Sequence, residues 1–198
     1  MARKFQKGQV EEIIYVRLEP GEDVLLAIWE ICEEHEIETG QILGGSGALD
    51  KFRFQHYPSN PKMVRDGWEH VTEVIELDGP LETNIVGTIG TTIVDEDAPE
   101  FFLSPTPELP TPEDVQTMTG SRTVAPGTRS PYVHAHVTAT NPHVTMIGHL
   151  MPGTLVRRAP VGAEDPPSHF TLVIAKVTGV AFLNRFGKGG LYHDFGEL

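Results

Sequence analysis

The stretch PYVHAHVTATNPHVTMIGHL, Pro131 to Leu150, decides how the fold is read, because it packs four of the nine histidines into one hairpin-like segment. Residues two apart on a strand share a face. Val133, Ala135, Val137 and Ala139 therefore make an apolar face, and Tyr132, His134, His136, Thr138 and Thr140 make the opposite one. Asn141-Pro142 starts a natural turn. A four-residue loop, Asn141 to Val144, pairs Thr140 with Thr145 and sets His136 opposite His149. Directly opposed residues point to the same side, with Cβ atoms about 4.5–5.5 Å apart. A three-residue loop instead pairs Val137 with His149 and throws that histidine onto the apolar face. Loop parity thus governs whether His134, His136 and His149 converge, while His143 stays in the turn.

Three neutral imidazoles on two adjacent strands make a facial ligand set for Zn²⁺, with a fourth position open to water or a substrate. Zinc with an open position lowers the pKa of bound water toward about 7, which is the mark of a catalytic site. A polar strand face at a solvent or subunit boundary carries the same pattern, so spacing alone leaves both readings open. Glu82, in DGPLET, is the candidate acid/base carboxylate, with a solvated glutamate as the plainer reading. Arg157 and Arg158 either hold an anion or cover the sheet. His56, His70, His169 and His193 are scattered and read as surface or half-buried residues. The sequence contains no Gly-x-Ser-x-Gly, phosphate loop, Cys-x-x-Cys or dinucleotide fingerprint.

Outward from the hairpin, QVEEIIYVRLEPG reads as a strand closed by Pro20-Gly21. EDVLLAIWEICEEHEI then has apolar Val24, Leu25, Ile28, Ile31 and Cys32 at helical spacing, with Glu22 and Asp23 in the first turn. In QILGGSGALDKFRFQHY, Gly44, Gly45 and Gly47 signal a bulge or a close backbone approach. HVTEVIELDGPLETNIVGTIGTTIV reads as two strands joined at Asp78-Gly79-Pro80, and TLVIAKVTGVAFLNRF as two more turning at Thr178-Gly179. The sum is an α+β fold: one long helix and a mostly antiparallel sheet of about eight or nine short strands. The segment Asp95–Ser130 stands apart, with six of the sixteen prolines. Proline blocks helix propagation and ladder pairing, so this is a lid, a subunit-contact arm or a mobile loop. Phe101, Phe102 and Leu103 favour an arm, and TPEDVQTM can form one turn with Thr111 as cap.

A formal charge of −13, from 28 acidic and 15 basic residues, argues against direct DNA binding, since phosphate neutralisation needs a basic footprint. The basic residues gather only weakly, at Arg3, Lys4 and Lys7 and at Arg157–Arg158. Nothing approaches the roughly 18 apolar residues of a membrane span, and no apolar region follows the basic start. The single Cys32 excludes an internal disulfide, suits a reducing cytoplasm, and is expected as a small buried hydrophobe in the helix.

RLEPGEDVLLAIWEICEEHEIETGQILGGSGALDKFRF, IELDGPLETNIVGTIG and PYVHAHVTAT…GHLMPGTLV occur together in the order and spacing of the plant-and-prokaryote-conserved (PPC, or DUF296) domain. From Glu12 to about Phe186 the chain resembles that family, apart from the Asp95–Ser130 insertion. The resemblance implies one PPC-like domain over residues 1–198, in a compact α+β subunit that forms a homotrimer. The family fold is similar to that of acetolactate decarboxylase, a zinc enzyme with three histidine ligands. His134, His136 and His149 match histidines at which several members resemble zinc-binding proteins. In plants the domain follows AT-hooks and supports transcription factors, and prokaryotic members are often labelled as DNA-binding. This chain has no Arg-Gly-Arg-Pro AT-hook, and MIGHL stands where Gly-Gly-His-Leu is common. Two functions follow as expectations. One is a homotrimeric regulatory or scaffold protein with an indirect link to DNA and a possible small-molecule ligand. The other is a Zn²⁺-dependent lyase or hydrolase acting on a small carboxylate-type substrate, with Glu82 as acid/base.

Overall fold

A computed structural model describes residues 4–56, 73–98, 120–158, 169–187 and 190–196. The expected helical turn after Thr111 and the arm at Phe101–Leu103 lie outside the described residues. In chain order the elements are β1 (Gln9–Arg17), α1 (Val24–Glu34), β2 (Gly40–His56), β3 (Glu73–Val94), β4 (Arg129–Thr140), β5 (Thr145–Leu150), β6 (Leu155–Val156), β7 (Thr171–Thr178), β8 (Ala181–Gly187) and β9 (Gly190–Gly196). The nine strands form one sheet, ordered β1-β7-β2-β5-β4-β3-β8-β9 with β6 on β2. Among the described residues, all pairings are antiparallel except β3 with β8. Because β2 pairs with β3 as well as with β5, the four strands β2, β3, β4 and β5 close on themselves.

Alternation along these strands builds the core. Phe52 and Phe54 of β2, Ile85 and Ile89 of β3, Val133, Ala135 and Val137 of β4, and Leu150 of β5 are buried together. Two rings of this set, Phe52 and Phe54, stack with centroids 4.4 Å apart. Helix α1 adds Val24, Leu25, Ile28, Trp29, Ile31 and Cys32 from one face, while Glu30, Glu33 and Glu34 stay in water. Burying each large aliphatic side chain contributes about 1.5–3 kcal/mol, which places the helix by its apolar stripe. Burial also pushes the Cys32 thiol up to about 12, so it is the inert hydrophobe expected.

The helix is shorter than the sequence suggested, at 11 residues. Asp23 does not sit in the first turn. It is the N-cap, its Oδ1 accepting from Leu25 N at 3.0 Å and Leu26 N at 3.2 Å. Its Oδ2 accepts from Gly153 N, tying the helix start to the turn after β5. At the other end His35 N donates to Ile31 O, and Glu36 turns the chain with φ 52°.

Two strand boundaries differ from expectation. β3 runs unbroken through Asp78-Gly79-Pro80, because the register shifts there: Leu49 faces Leu81 while Lys51 faces Asp78. Three steps on β3 against two on β2 form a bulge, the place where a proline lacking its N–H is tolerated inside a sheet. A side chain at Gly79 would run into Leu49 O. Likewise, β7 and β8 are separated at Thr178-Gly179 as read, but they do not pair with each other. β7 lies between β1 and β2, whereas β8 runs parallel to β3. The glycine-rich start of β2 carries the expected bulge, with a register shift after Ile42. Gly45 and Gly47 also permit close approach, since a Cβ there would lie 2.6 Å from Leu172 and from Phe170 respectively.

Candidate metal centre

The hairpin between β4 and β5 has the four-residue loop. Asn141 Oδ1 accepts from His143 N at 2.9 Å and Val144 N at 3.0 Å, and Asn141 N donates to Val144 O. Thr140 then opposes Thr145, with their hydroxyls 2.7 Å apart, and His136 opposes His149. His134, His136 and His149 share one side of the sheet, and His143 remains in the turn. One ring nitrogen from each of the three lies within 4.8 Å of the others.

Within the trio, the His134 and His136 rings are nearly parallel, 13° apart, with their Nε2 atoms 3.3 Å from each other. Two ligands on a tetrahedral metal with bonds of about 2.0–2.1 Å are themselves about 3.3–3.4 Å apart. The His149 ring stands across this pair, at 81° to His134 and 79° to His136. Among the described residues, its Nε2 is buried without a hydrogen-bond partner. A buried ring nitrogen with no protein partner is costly in itself, and ligating a cation is one arrangement that satisfies it. Burial, reinforced by His134 and His136, pushes the His149 pKa down to about 3. Burial and the same kind of neighbours also lower His134, so these rings are held as neutral imidazoles, the form that binds a metal. On chemistry and spacing the three residues fit a divalent transition metal.

The chain end of the proline-rich segment supports this centre. Gly120 O accepts from Val133 N at 2.8 Å and from Trp29 Nε1 at 3.2 Å, and Ser121 bridges to Tyr132. Gly120 has φ +73°, and a Cβ on it would approach His149 Nε2 to 3.5 Å. The edge of β4 that β5 leaves bare is therefore occupied by residues 120–122, beside His149.

Glu82 is not brought to the histidines. It opposes Thr140, while His136 opposes Val86, so Glu82 lies four residues along β3 from the level of His136, about 13 Å at strand rise. It lines instead an open cavity of about 440 Å³ with Ser46, Asn84, Thr138, Thr140 and His169. Arg157 and Arg158 are also elsewhere: their backbones bond to Ala48 O and the Asp50 carboxylate beside β2. His193, read as a scattered residue, comes to the site through β9. Tyr132 Oη lies 2.9 Å from His134 Nδ1 and 2.8 Å from His193 Nε2. Tyr132 was legible as a member of the histidine face of β4, but nothing local announces His193.

The profile of the Plants and Prokaryotes Conserved (PCC) domain matches residues 5–107. No curated protein matches the chain. Among solved structures, it is similar to a metal-containing protein from Archaeoglobus fulgidus, at 18% identity and a TM-score of 0.61, covering 98% of this chain and 100% of that one. A PPC protein of Pyrococcus horikoshii aligns at 20% identity and a TM-score of 0.59, with 99% of each chain covered. A Bacteroides thetaiotaomicron protein whose name suggests DNA binding aligns at 14% identity and a TM-score of 0.54, covering 95% of this chain and 94% of that one.

Proposed function

Because the chain belongs to the Plants and Prokaryotes Conserved (PCC) domain family, we propose that it acts as a homotrimeric regulatory or scaffold protein built around a Zn²⁺ centre at His134, His136 and His149. The observation that carries the metal is the convergence of the three ring nitrogens within 4.8 Å. The metal-containing Archaeoglobus fulgidus structure supports the same reading. Bound there, Zn²⁺ would fix the β4–β5 hairpin and could serve as a Lewis acid toward one further ligand.

Self-association is supported by the side of the sheet that carries the histidines. Val10, Ile13 and Tyr15 of β1, Val86 of β3 and Ile147 of β5 lie on it and are 53–80% exposed. Large exposed apolar side chains on one face mark an interaction surface more often than bare solvent contact. The link to DNA is indirect in this reading, because the net charge of −13 opposes binding to a polyanion.

Elemental analysis of protein purified without a histidine tag tests the centre. About one zinc per chain is expected, falling to background in His134→Ala and His136→Ala variants. Metal content unchanged by both substitutions would remove the centre. In sedimentation equilibrium a mass near three times the 21.8 kDa of one chain supports the trimer, and a monomer refutes it.

A second reading, a zinc-dependent enzyme, is favoured by two observations. His136 is exposed, and Thr138, two residues further along the same strand face, lines the cavity. Glu82 is the carboxylate of that cavity. It favours a neutral or cationic small molecule over the carboxylate-type substrate expected from the sequence, since neither Arg157 nor Arg158 is among the residues that line the cavity.

A further inference from the structure

The Tyr132 hydroxyl has one proton and two nitrogen neighbours, His134 Nδ1 at 2.9 Å and His193 Nε2 at 2.8 Å. One proton cannot be donated to both, so one of the rings must donate to the hydroxyl oxygen. The three groups therefore form a chain with two possible directions. In the first, His134 Nδ1–H donates to Tyr132, and Tyr132 O–H donates to His193 Nε2. His134 is then left with a bare Nε2, the atom that faces His136 Nε2 at 3.3 Å. In the second, His193 Nε2–H donates to Tyr132, and Tyr132 donates to His134 Nδ1. The His134 proton then sits on Nε2 and blocks it as a ligand.

The surroundings show that this contact is built into the fold. Tyr132 is only 2% exposed, so its hydroxyl is shielded from water. The Phe182 ring packs on the middle of the link and on one end, with centroids 6.0 Å from Tyr132 and 5.2 Å from His193. Gly90 opposes Tyr132 across the β3–β4 ladder, and a side chain there would strike Phe182. His193 reaches Tyr132 because β9 pairs with β8, setting His193 opposite Asn184, and β8 pairs with β3, setting Asn184 opposite Thr92.

We infer that Tyr132 and His193 are positioning residues that hold His134 as the Nδ1–H tautomer, presenting Nε2 to a metal and tying metal affinity to the β8–β9 hairpin. The inference rests on the metal reading above. A metal-ligating histidine is oriented by the partner of its other ring nitrogen, and losing such a partner typically weakens metal binding about 10–100-fold. Here the partner is a neutral tyrosine, and its own direction is set from another strand pair.

The test uses full-length protein and Zn²⁺ in competition with a chromophoric chelator. Tyr132→Phe keeps the ring and removes the oxygen, and should weaken Zn²⁺ binding about 10–100-fold. His193→Ala should weaken it in the same direction, and His193→Gln, whose side-chain oxygen can accept the Tyr132 proton, should recover most of the loss. Long-range ¹H–¹⁵N spectra of Zn²⁺-loaded wild type should show His134 and His193 both protonated at Nδ1, a signature that needs no variant to fold. Tyr132→Phe binding within about twofold of wild type, less than the weakest loss expected of an orienting partner, would overturn the inference. So would a His193 proton on Nε2 in the loaded protein. If wild type itself takes up no Zn²⁺, the metal reading fails along with it, whereas wild-type binding with indifferent variants removes the positioning role alone.

Discussion

Replacing Gly120 with alanine should be among the more damaging small substitutions in the chain. Gly120 adopts φ +73°, and an added Cβ would overlap Val133 O and lie 3.0 Å from Val133 C. Holding an L-residue in the left-handed region costs about 1–2 kcal/mol. Relieving the overlap moves Gly120 O away from Val133 N and Trp29 Nε1, two hydrogen bonds of 2.8 and 3.2 Å. Each contributes about 0.5–1.5 kcal/mol, so the total loss is about 2–5 kcal/mol. That is a large fraction of the roughly 5–15 kcal/mol that holds a typical domain together. Gly44→Ala supplies the control, because a Cβ at Gly44 meets nothing within 4 Å among the described residues and its φ is not positive. Urea denaturation of the metal-free proteins should show a lowered midpoint for Gly120→Ala with an unchanged slope, and little change for Gly44→Ala. If the two variants differ by less than about 0.5 kcal/mol, the scale of an ordinary surface substitution, the link between residues 120–122 and β4 does not stabilise the fold.

Loop length and acidity supply two further predictions. Deleting His143 should abolish Zn²⁺ uptake by moving His149 to the other side of β5, whereas His143→Ala should leave uptake intact; equal uptake by both would refute the parity argument. The His149 pKa falls from 6.5 to about 3 on folding, so below pH 6.5 the unfolded chain binds a proton that the native state refuses. The stability this group confers is complete above pH 6.5 and is lost as pH falls toward 3, at about 1.4 kcal/mol per unit. The metal-free wild type should therefore lose stability between pH 6.5 and 5 faster than His149→Gln, and parallel slopes would discount the buried neutral imidazole.

The hairpin was legible because its evidence is local: the alternation of Val133 to Thr140 puts His134 and His136 on one side, whereas the side of His149 hung on the loop length, four residues in the structure. Helix α1 was legible for the same reason, through apolar positions that recur at helical spacing from Val24 to Cys32. Its length was not, since the stop at His35–Glu36 depends on one left-handed residue with no glycine to announce it. Gly79-Pro80 reads as a turn in isolation and becomes a bulge only when β2 supplies its register. The parallel placement of β8 and the arrival of His193 beside Tyr132 are consequences of strand order, and strand order is not written in any one segment. Glu82 shows the converse limit, being on the histidine face yet too far along the strand to take part.

β2 has a neighbour on both edges for most of its length, β3 along one side and β7, β6 and β5 in turn along the other. Its amides are therefore shielded twice over, and they should exchange with solvent only when the whole structure opens. β1 and β9 end the strand order, each with one hydrogen-bonded edge among the described residues. Their amides should exchange through smaller openings. The His193 end of the aromatic link thus belongs to the part of the sheet that breathes most readily, while His149 is paired to Gln55 in the part that breathes least.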